Sequence, residues 1–282
     1  MKTTSAVISM IVVAVICIGG TTLYFKQQTQ NQSSTQAASG QANATALIKK
    51  ATAGHAVVLN NFIDGPFQGF VLKGTEPNSP EGILFTDMSG NYLISGNVMD
   101  KNLKSLTEAA YDKYISPAKA QQAFQMIDKT NYVVMGSDQA PHKLYVLADP
   151  NCVFCHEFYT ASKPYVASGQ LQIRWILGGF LKSSSAGRAA AILGASDPAA
   201  AFAQNENGFI TDKEEGGITP MANISPELKA KIQTNMNFMM KNQFMQTPTL
   251  LYKNTQGVAS LYMGLPDATQ LKALINGMSN KY

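Results

Sequence analysis

Two cysteines separated by two residues carry the chemistry of this chain: Cys152 and Cys155, followed directly by His156. The order C-x-x-C-H is the attachment signature of a c-type haem, whereas C-x-x-C after an apolar strand is typical of a redox-active dithiol. A zinc site would need a second pair of cysteine or histidine ligands, and the remaining histidines, His55 and His142, are isolated. The elements around the motif therefore have to decide between haem and dithiol.

The segments on either side of the motif favour the dithiol. Residues 142–149 (HKLYVLAD) form an apolar, β-prone run, and the composition from Cys152 to Ala167 is helical, with Pro164 inside it as an expected kink. A cysteine at the start of a helix meets backbone N–H groups and the positive end of the helix dipole, which favour its thiolate and lower its pKa. Asp149, at the end of the strand, is interpreted as a helix-capping or turn residue.

A dithiol at this position needs nothing further to exchange disulfides. The thiolate of Cys152 would attack, and the thiol of Cys155, one turn further into the helix, would resolve the mixed disulfide. A haem would require His156 as an axial ligand together with a second ligand, and it would replace the helix start that the strand implies. We therefore expect no metal and no cofactor. His156 and Glu157 are interpreted as surface residues of the helix, and a protonated His156 that helps to hold the thiolate is the alternative.

Beyond residue 131 the strands and helices follow the order of a thioredoxin fold with an α-helical insert, an α/β fold. The predicted elements are a strand at 142–149, the motif helix, a strand at 171–180, helical segments at 186–196, 197–204 and 225–244, a hairpin of 247–254 with 258–265, and a closing helix. Ser225 and Asp267 are the predicted caps of the last two helices, with Pro226 at the first helical position.

The dipeptide Thr247-Pro248 leads into the predicted hairpin, where a thioredoxin fold places a cis-proline opposite its dithiol. X–Pro is the only peptide bond that adopts the cis form at low cost, so we expect a cis bond here. Thr247 and Pro248, with Val153 and Phe154 between the cysteines, are the expected substrate-binding residues.

Residues 46–107 predict a small α+β domain, with a short helix, several strand-like runs and a hairpin at 86–92 (TDMSGNY). A unit of this size has little core of its own and is expected to share an interface. Residues 108–130 have helical spacing, with Ser116 and Pro117 as the expected N-cap and first helical position. They fit a connector between two domains or a helix packed wholly on the first domain.

The N-terminal residues indicate export. Residues 6–25 are apolar and uncharged, which favours a retained membrane anchor over a cleaved signal peptide. Cys17 is interpreted as an apolar residue within this segment. Residues 26–45 lack large apolar side chains and predict a flexible tether. The net charge is only +4 and no basic run stands out, which excludes nucleic acid as the expected partner.

In combination these motifs resemble the DsbC/DsbG family of periplasmic disulfide isomerases, and its DsbG members more closely than DsbC. The resemblance is carried by residues 148–158 (ADPNCVFCHEF), 189–202 (AAAILGASDPAAAF), 247–252 (TPTLLY) and 264–271 (GLPDATQL), and it extends more weakly over 46–135. It implies a homodimer joined through a cystatin-like N-terminal domain at 46–107, a linker helix at 108–130, and a thioredoxin-like catalytic domain with a helical insert at 131–282.

By position, the resemblance implies Cys152 as the nucleophile and Cys155 as the resolving thiol, with Thr247-Pro248 as the cis-proline loop. Val153 and Phe154 stand where the family has Pro and Tyr, and the dipeptide between the cysteines tunes the redox potential. A retained anchor at the N-terminus is also unlike a soluble periplasmic member of the family.

The expected function is a thiol–disulfide reductase or isomerase in the periplasm, tethered to the inner membrane by residues 6–25. It would act on exported proteins with oxidised cysteines or non-native disulfides, and a membrane thiol reductase is implied as the recycling partner. A monomeric dithiol oxidase of the DsbA type is one alternative, and its oligomeric state would distinguish it. A chaperone-like binding module with a secondary redox site is the other, and it would keep its binding when Cys152 is replaced by Ser.

Overall fold

The structure is a computed structural model that describes residues 39–77 and 79–281. The expected membrane anchor, Cys17 and residues 26–38 of the expected tether lie outside this part of the chain. Within it, none of the helices combines the length and the apolar character that crossing a bilayer requires. The chain divides into two compact units between Thr107 and Glu108.

The described residues of the first unit form an antiparallel sheet with one helix. Residues 39–51 are helical and are called α1. The strands, in spatial order, are β1 (Ala56–Asp64), β2 (Phe67–Gly74), β3 (Glu81–Asp87) and β4 (Leu93–Ile94). Every neighbouring pair is antiparallel, so each strand is joined to the next by a simple reversal of the chain.

Helix α1 extends into the segment that the sequence assigns to a flexible tether. Residues 39–45 lie within the predicted tether 26–45, yet they are helical. Alanine is the strongest helix former, and Ala44 is buried together with Ile48 against two apolar side chains of β2. The prediction of a flexible tether considered only large apolar side chains, and the small side chain of Ala44 makes a buried contact as well.

The hairpin predicted at 86–92 is confirmed, and its second strand is shorter than the apolar run suggested. The carboxylate of Asp87 accepts hydrogen bonds from the backbone N–H groups of Asn91 and Tyr92, each at 2.8 Å, and so shapes the turn. Strand β4 covers only two residues, because the chain leaves the extended conformation at Gly96, whose φ is +112°.

Two short helices follow: α2 (Leu106–Tyr114) and α3 (Ser116–Phe124), with a 3-10 turn at Ile127–Lys129. Helix α3 packs on the sheet of the second unit, where Ala120 and Ala123 are buried with Leu251 and Leu261. The alternative of a helix packed wholly on the first domain is therefore wrong for α3. Its small side chains allow the helix to approach the sheet closely.

Ser116 is not the N-cap of α3, and that prediction is wrong. Ile115 occupies the cap position, and its N–H is bonded to the Tyr111 carbonyl at 2.9 Å, so helical hydrogen bonding runs on from α2. A helix that starts without free N–H groups has no use for a capping side chain. The Ser116 hydroxyl instead donates to Asp112 Oδ1 at 3.3 Å.

The second unit has a five-stranded mixed sheet in the order β5-β7-β6-β8-β9. The strands are β5 (Tyr132–Met135), β6 (His142–Ala148), β7 (Leu171–Leu177), β8 (Thr249–Lys253) and β9 (Ala259–Met263). Strands β6 and β7 are parallel, and the other pairs are antiparallel. The predicted βαβ unit, the β8–β9 hairpin and the α/β fold class are confirmed.

Among the described residues, five further helices belong to the second unit. They are α4 (Val153–Ala167), α5 (Ser185–Leu193), α6 (Pro198–Asn207), α7 (Pro226–Lys241) and α8 (Ala268–Asn276), with a 3-10 turn at Thr211–Lys213. Helix α4 is the crossover from β6 to β7, and Pro164 lies inside it as predicted. The predicted caps Ser225 and Asp267 are confirmed: the first accepts from Leu228 N–H, and the second forms a capping box with Gln270.

An aromatic cluster joins the insert to the crossover helix. Trp175 of β7 is fully buried, with ring centroids 4.7 Å from Phe202 of α6 and 5.8 Å from Phe158 of α4. Burying a large aromatic side chain stabilises the fold by roughly 2–3 kcal/mol, so these contacts hold α6 firmly beside α4. The insert is thereby placed next to the helix that carries the cysteines.

Candidate active site

The cysteine motif lies where strand β6 ends and helix α4 begins. Cys152 occupies the N-cap position with φ −85° and ψ 112°, and its Sγ accepts a hydrogen bond from the Cys155 N–H at 3.2 Å. A sulfur in this position takes the place of the oxygen of a capping side chain, because the first N–H groups of a helix have no partner within the helix. The expectation from the sequence, a first cysteine at the helix N-terminus and a second one turn inward, is met.

The two thiols are free and differ strongly in acidity. Hydrogen bonding from the Cys155 thiol lowers the pKa of Cys152, helped by the Thr247 hydroxyl and the Cys155 N–H, while burial opposes these effects. Burial raises the pKa of Cys155 well above the usual value, and the neighbouring Cys152 sulfur raises it further. The site can therefore hold one thiolate beside one protonated thiol.

The loop before β8 approaches Cys152. The Thr247–Pro248 peptide bond is cis, which confirms the expectation. The Thr247 hydroxyl donates to Cys152 Sγ at 3.3 Å, and its carbonyl oxygen lies 3.5 Å from the same sulfur. This proximity follows from the sheet, since β8 pairs with β6 up to Leu147 and Thr249, close to the residues at which the loop and the motif begin.

The remaining predicted substrate-binding residues lie on the first turn of α4. Val153 is half-buried, and the Phe154 side chain is 54% exposed, which is unusual for a phenylalanine. Cys152 itself is only 4% exposed. The accessible surface beside the sulfur is thus apolar on the α4 side and carries backbone and hydroxyl groups on the Thr247 side.

Asp149 does more than form a turn. Its Oδ1 accepts from the Asn151 N–H at 2.9 Å, as the turn interpretation predicts, and also from the Ser185 hydroxyl at 2.6 Å. Its Oδ2 accepts from the N–H groups of Phe180 and Leu181 at 2.8 and 3.1 Å. The carboxylate is 98% buried and joins the strand end before the cysteines to the loop after β7. It does not cap α4.

His156 lies on α4 as predicted, and its side chain is partly buried rather than freely exposed. Its Nδ1 lies 3.2 Å from Oε2 of Glu206, a residue of insert helix α6, and its ring stacks on Phe209 with centroids 4.6 Å apart. Glu206 is only 2% exposed. Burial raises its pKa to about 8, with the Asn205 amide opposing this and the charge of Cys152 adding to it.

The sequence motifs did not identify Glu206 as a site residue, although the spacing of apolar residues on α6 indicates that its side chain is buried. Ala201 and Phe202 are buried on α6, and residues four positions later fall on the same face of a helix. That spacing puts Asn205 and Glu206 on the buried face. Asn205 Nδ2 donates to the Pro150 carbonyl at 3.0 Å and to Glu206 Oε1 at 2.9 Å, which ties the insert to the chain just before the motif.

Comparison with known proteins finds that the chain is similar to thiol:disulfide interchange proteins. Residues 128–260 match the thioredoxin family. The chain is 26% identical over 196 residues to the thiol:disulfide interchange protein DsbG of Pseudomonas aeruginosa, covering 68% of this chain and 73% of that protein. It is 29% identical over 201 residues to DsbG of Escherichia coli, covering 70% and 77%. The resemblance expected from the sequence is therefore confirmed.

Solved structures that align with the chain include DsbG of Helicobacter pylori, with a TM-score of 0.37, 18% identity and coverage of 74% of this chain and 98% of that chain. The catalytic domain of Proteus mirabilis ScsC aligns with a TM-score of 0.42 and 15% identity, over 56% of this chain and 96% of that chain.

Proposed function

We propose that this chain, a thiol–disulfide oxidoreductase similar to the DsbG proteins, is a periplasmic isomerase and reductase for the disulfides or oxidised cysteines of exported proteins. The observation that supports this most directly is the unequal acidity of its two thiols beside the Thr247–Pro248 loop. Exchange needs a thiolate to attack and a second thiol held in reserve.

The proposed reaction starts at the Cys152 thiolate. It attacks one sulfur of a substrate disulfide, a Cys152–substrate bond forms, and the other substrate sulfur leaves as a thiolate that takes up a proton. In reduction, Cys155 loses its proton and attacks Cys152, which releases the second substrate thiol. Cys152 and Cys155 are thereby oxidised to a disulfide, and the substrate disulfide is reduced by two electrons to two thiols. In isomerisation, a substrate thiolate displaces Cys152 instead, and no net oxidation occurs.

Oxidised single cysteines fit the same site. A sulfenic acid reacts with the Cys152 thiolate to give a mixed disulfide and hydroxide, which is protonated to water, and Cys155 resolves the mixed disulfide as before. Phe154 and Val153 offer apolar contact to a substrate segment, and Thr247 offers backbone groups on the other side of the sulfur. We infer that a protein chain in extended conformation lies between them.

The first unit is proposed as the dimer interface. Strand β1 is the edge of its sheet, and among the described residues it pairs with β2 alone. Its side chains Val57, Leu59 and Ile63 are 47%, 52% and 63% exposed. An unprotected edge with apolar side chains tends to associate with another chain. A second copy would cover this surface, and residues 6–25 would hold the dimer at the membrane, where a membrane thiol reductase recycles the dithiol.

The proposed function is tested by exchange assays on the full chain with Cys152→Ser and Cys155→Ser variants. The Cys152 variant should lose both the reduction of a disulfide-bonded test protein and the reactivation of a scrambled one. The Cys155 variant should accumulate mixed disulfides with the substrate, because nothing resolves them. If the Cys152 variant matches the wild type in both assays, the proposal is wrong, and unchanged suppression of aggregation would favour the binding module.

A further inference from the structure

The His156–Glu206 pair is not used by the exchange chemistry described above, and it has no evident role in the fold. A carboxyl group that is 98% buried is costly to ionise, and it persists only where its partners compensate. The described partners of Glu206 are two: the Asn205 amide at 2.9 Å on Oε1 and His156 Nδ1 at 3.2 Å on Oε2. No lysine or arginine neutralises this carboxyl group among them.

The geometry of the pair requires a proton. A carboxylate oxygen and an unprotonated ring nitrogen both present lone pairs, and they would repel each other at 3.2 Å. The contact is attractive only if one proton lies on either Nδ1 or Oε2. A proton on Oε2 beside a neutral ring, or an imidazolium beside the carboxylate, leaves the pair without net charge. A neutral ring with its proton on Nδ1 beside the carboxylate leaves the pair with one negative charge, which its burial and the charge of Cys152 disfavour.

The pair lies close to the start of α4, and the charge of Cys152 acts on Glu206. Asn205 fastens the chain next to Glu206 to the Pro150 carbonyl, two residues before Cys152, and His156 is one turn along α4 from Cys152. The titratable groups that act on the pair are Cys152, Glu157, Tyr159 and Lys163, all on or at the start of α4. Glu157 is exposed, and Lys163 bonds to Asn207 Oδ1 at 3.0 Å rather than to Glu206.

We propose that the His156–Glu206 pair is a proton store coupled to the dithiol, holding one proton more firmly when Cys152 is a thiolate than when Cys152 and Cys155 form a disulfide. The negative charge of the thiolate opposes a second negative charge nearby, so the pair keeps its proton in the reduced protein and releases it more easily in the oxidised protein. The inference rests on the proposed exchange function. It makes Glu206 and His156 positioning residues that set how the reduction potential depends on pH.

The proton balance can be written for each pH range. Where the pair stays protonated in both states, reduction of the disulfide takes up two electrons from a partner dithiol and one proton, giving the Cys152 thiolate and the Cys155 thiol. Where the pair is protonated only in the reduced protein, the same two electrons are accompanied by a second proton, which the pair takes from solvent. The partner dithiol is oxidised to its disulfide in both cases.

The test compares Glu206→Gln with Glu157→Gln, a matched control that removes a neighbouring exposed carboxyl group. The equilibrium of the Cys152–Cys155 pair with glutathione is measured for each full-length protein between about pH 6 and pH 9. The Glu206 variant should match the wild type at the low end and become progressively easier to reduce than the wild type as pH rises. The ratio should reach about tenfold for each pKa unit that separates the two redox states. Glu157 is exposed and its charge acts on His156 in both redox states, so the ratio between the Glu157 variant and the wild type should stay nearly constant with pH.

A constant ratio between the Glu206 variant and the wild type over this range would overturn the inference and leave the exchange function intact. If the Cys152–Cys155 pair of the wild type showed no measurable equilibrium with glutathione, the proposed function itself would be wrong. A second readout avoids any folding defect in the variant: the Glu206 side-chain carboxyl is titrated by carbon NMR in the oxidised and reduced wild type. Its midpoint should be higher in the reduced protein, and equal midpoints would refute the coupling.

Discussion

Replacing Glu206 by Gln should change how the stability of the reduced protein depends on pH. The pKa of Glu206 is raised from 4.5 to about 8, chiefly by burial, so the folded protein binds this proton more tightly than the unfolded chain does. A group of this kind contributes its full stabilisation below the unfolded pKa of 4.5, and the contribution is lost as pH rises toward the folded pKa of about 8. The Gln side chain has no proton to lose.

The magnitude follows from the two pKa values. At about 1.4 kcal/mol per pKa unit, moving from 4.5 to about 8 changes the free energy of unfolding by at most about 5 kcal/mol. This is an upper limit, because His156 can take the proton from Glu206 and leave a paired carboxylate. We therefore expect the Glu206→Gln variant to gain on the wild type by about 1 kcal/mol for each pH unit above 4.5, with the gain complete near pH 8.

The assay is urea unfolding of the reduced wild type, the Glu206→Gln variant and the Glu157→Gln control at several pH values from about 4.5 to 8.5. Ionisation of Cys152 occurs in all three proteins, and its coupling to Glu206 is part of the difference that the comparison measures. Unfolding free energies that differ by the same amount at every pH would refute the reasoning, because the buried carboxyl would then not titrate in this range. A control that behaves like the Glu206 variant would assign the effect to general surface charge instead.

The remaining predictions concern the thiols and the dimer. Brief alkylation of the reduced protein should modify Cys152 before Cys155, because the pKa of Cys152 is lowered and that of Cys155 is raised; mass mapping that found Cys155 modified first would contradict the assignment. The full chain should sediment as a dimer at micromolar concentration. Replacing two exposed residues of β1 together, Leu59→Glu and Ile63→Glu, should give a monomer with an intact dithiol, and a monomeric wild type would argue against the interface.

Features with a local cause could be predicted from the sequence. The cysteine motif lies at a helix start because an apolar strand ends at Ala148 and helix-forming residues follow. The caps Ser225 and Asp267 were readable because a capping side chain bonds to an N–H only three residues away. The cis bond before Pro248 is not a local feature of this kind, because it was expected from the thioredoxin fold, which places a cis-proline opposite its dithiol.

Features that depend on contacts between residues far apart in the chain could not be predicted from the sequence. Ser116 looked like a cap, but hydrogen bonding that runs on from the preceding helix removes the free N–H groups a cap would serve. Residues 39–45 looked too polar and too small to fold, yet a sheet in the first unit buries Ala44. Glu206 and His156 are 50 positions apart, so only the packing of the insert brings them together.

The insert thus has a chemical consequence as well as a structural one. Asp149 and Asn205 are buried polar side chains that hold the chain on either side of Pro150, and each is satisfied by several hydrogen bonds. Satisfied buried networks are rigid, because any movement leaves a polar group without a partner. A rigid strand end keeps the Cys152 sulfur at the helix N-terminus, where the Cys155 N–H stabilises its thiolate. The same insert helix then places Glu206 close enough to be affected by that charge.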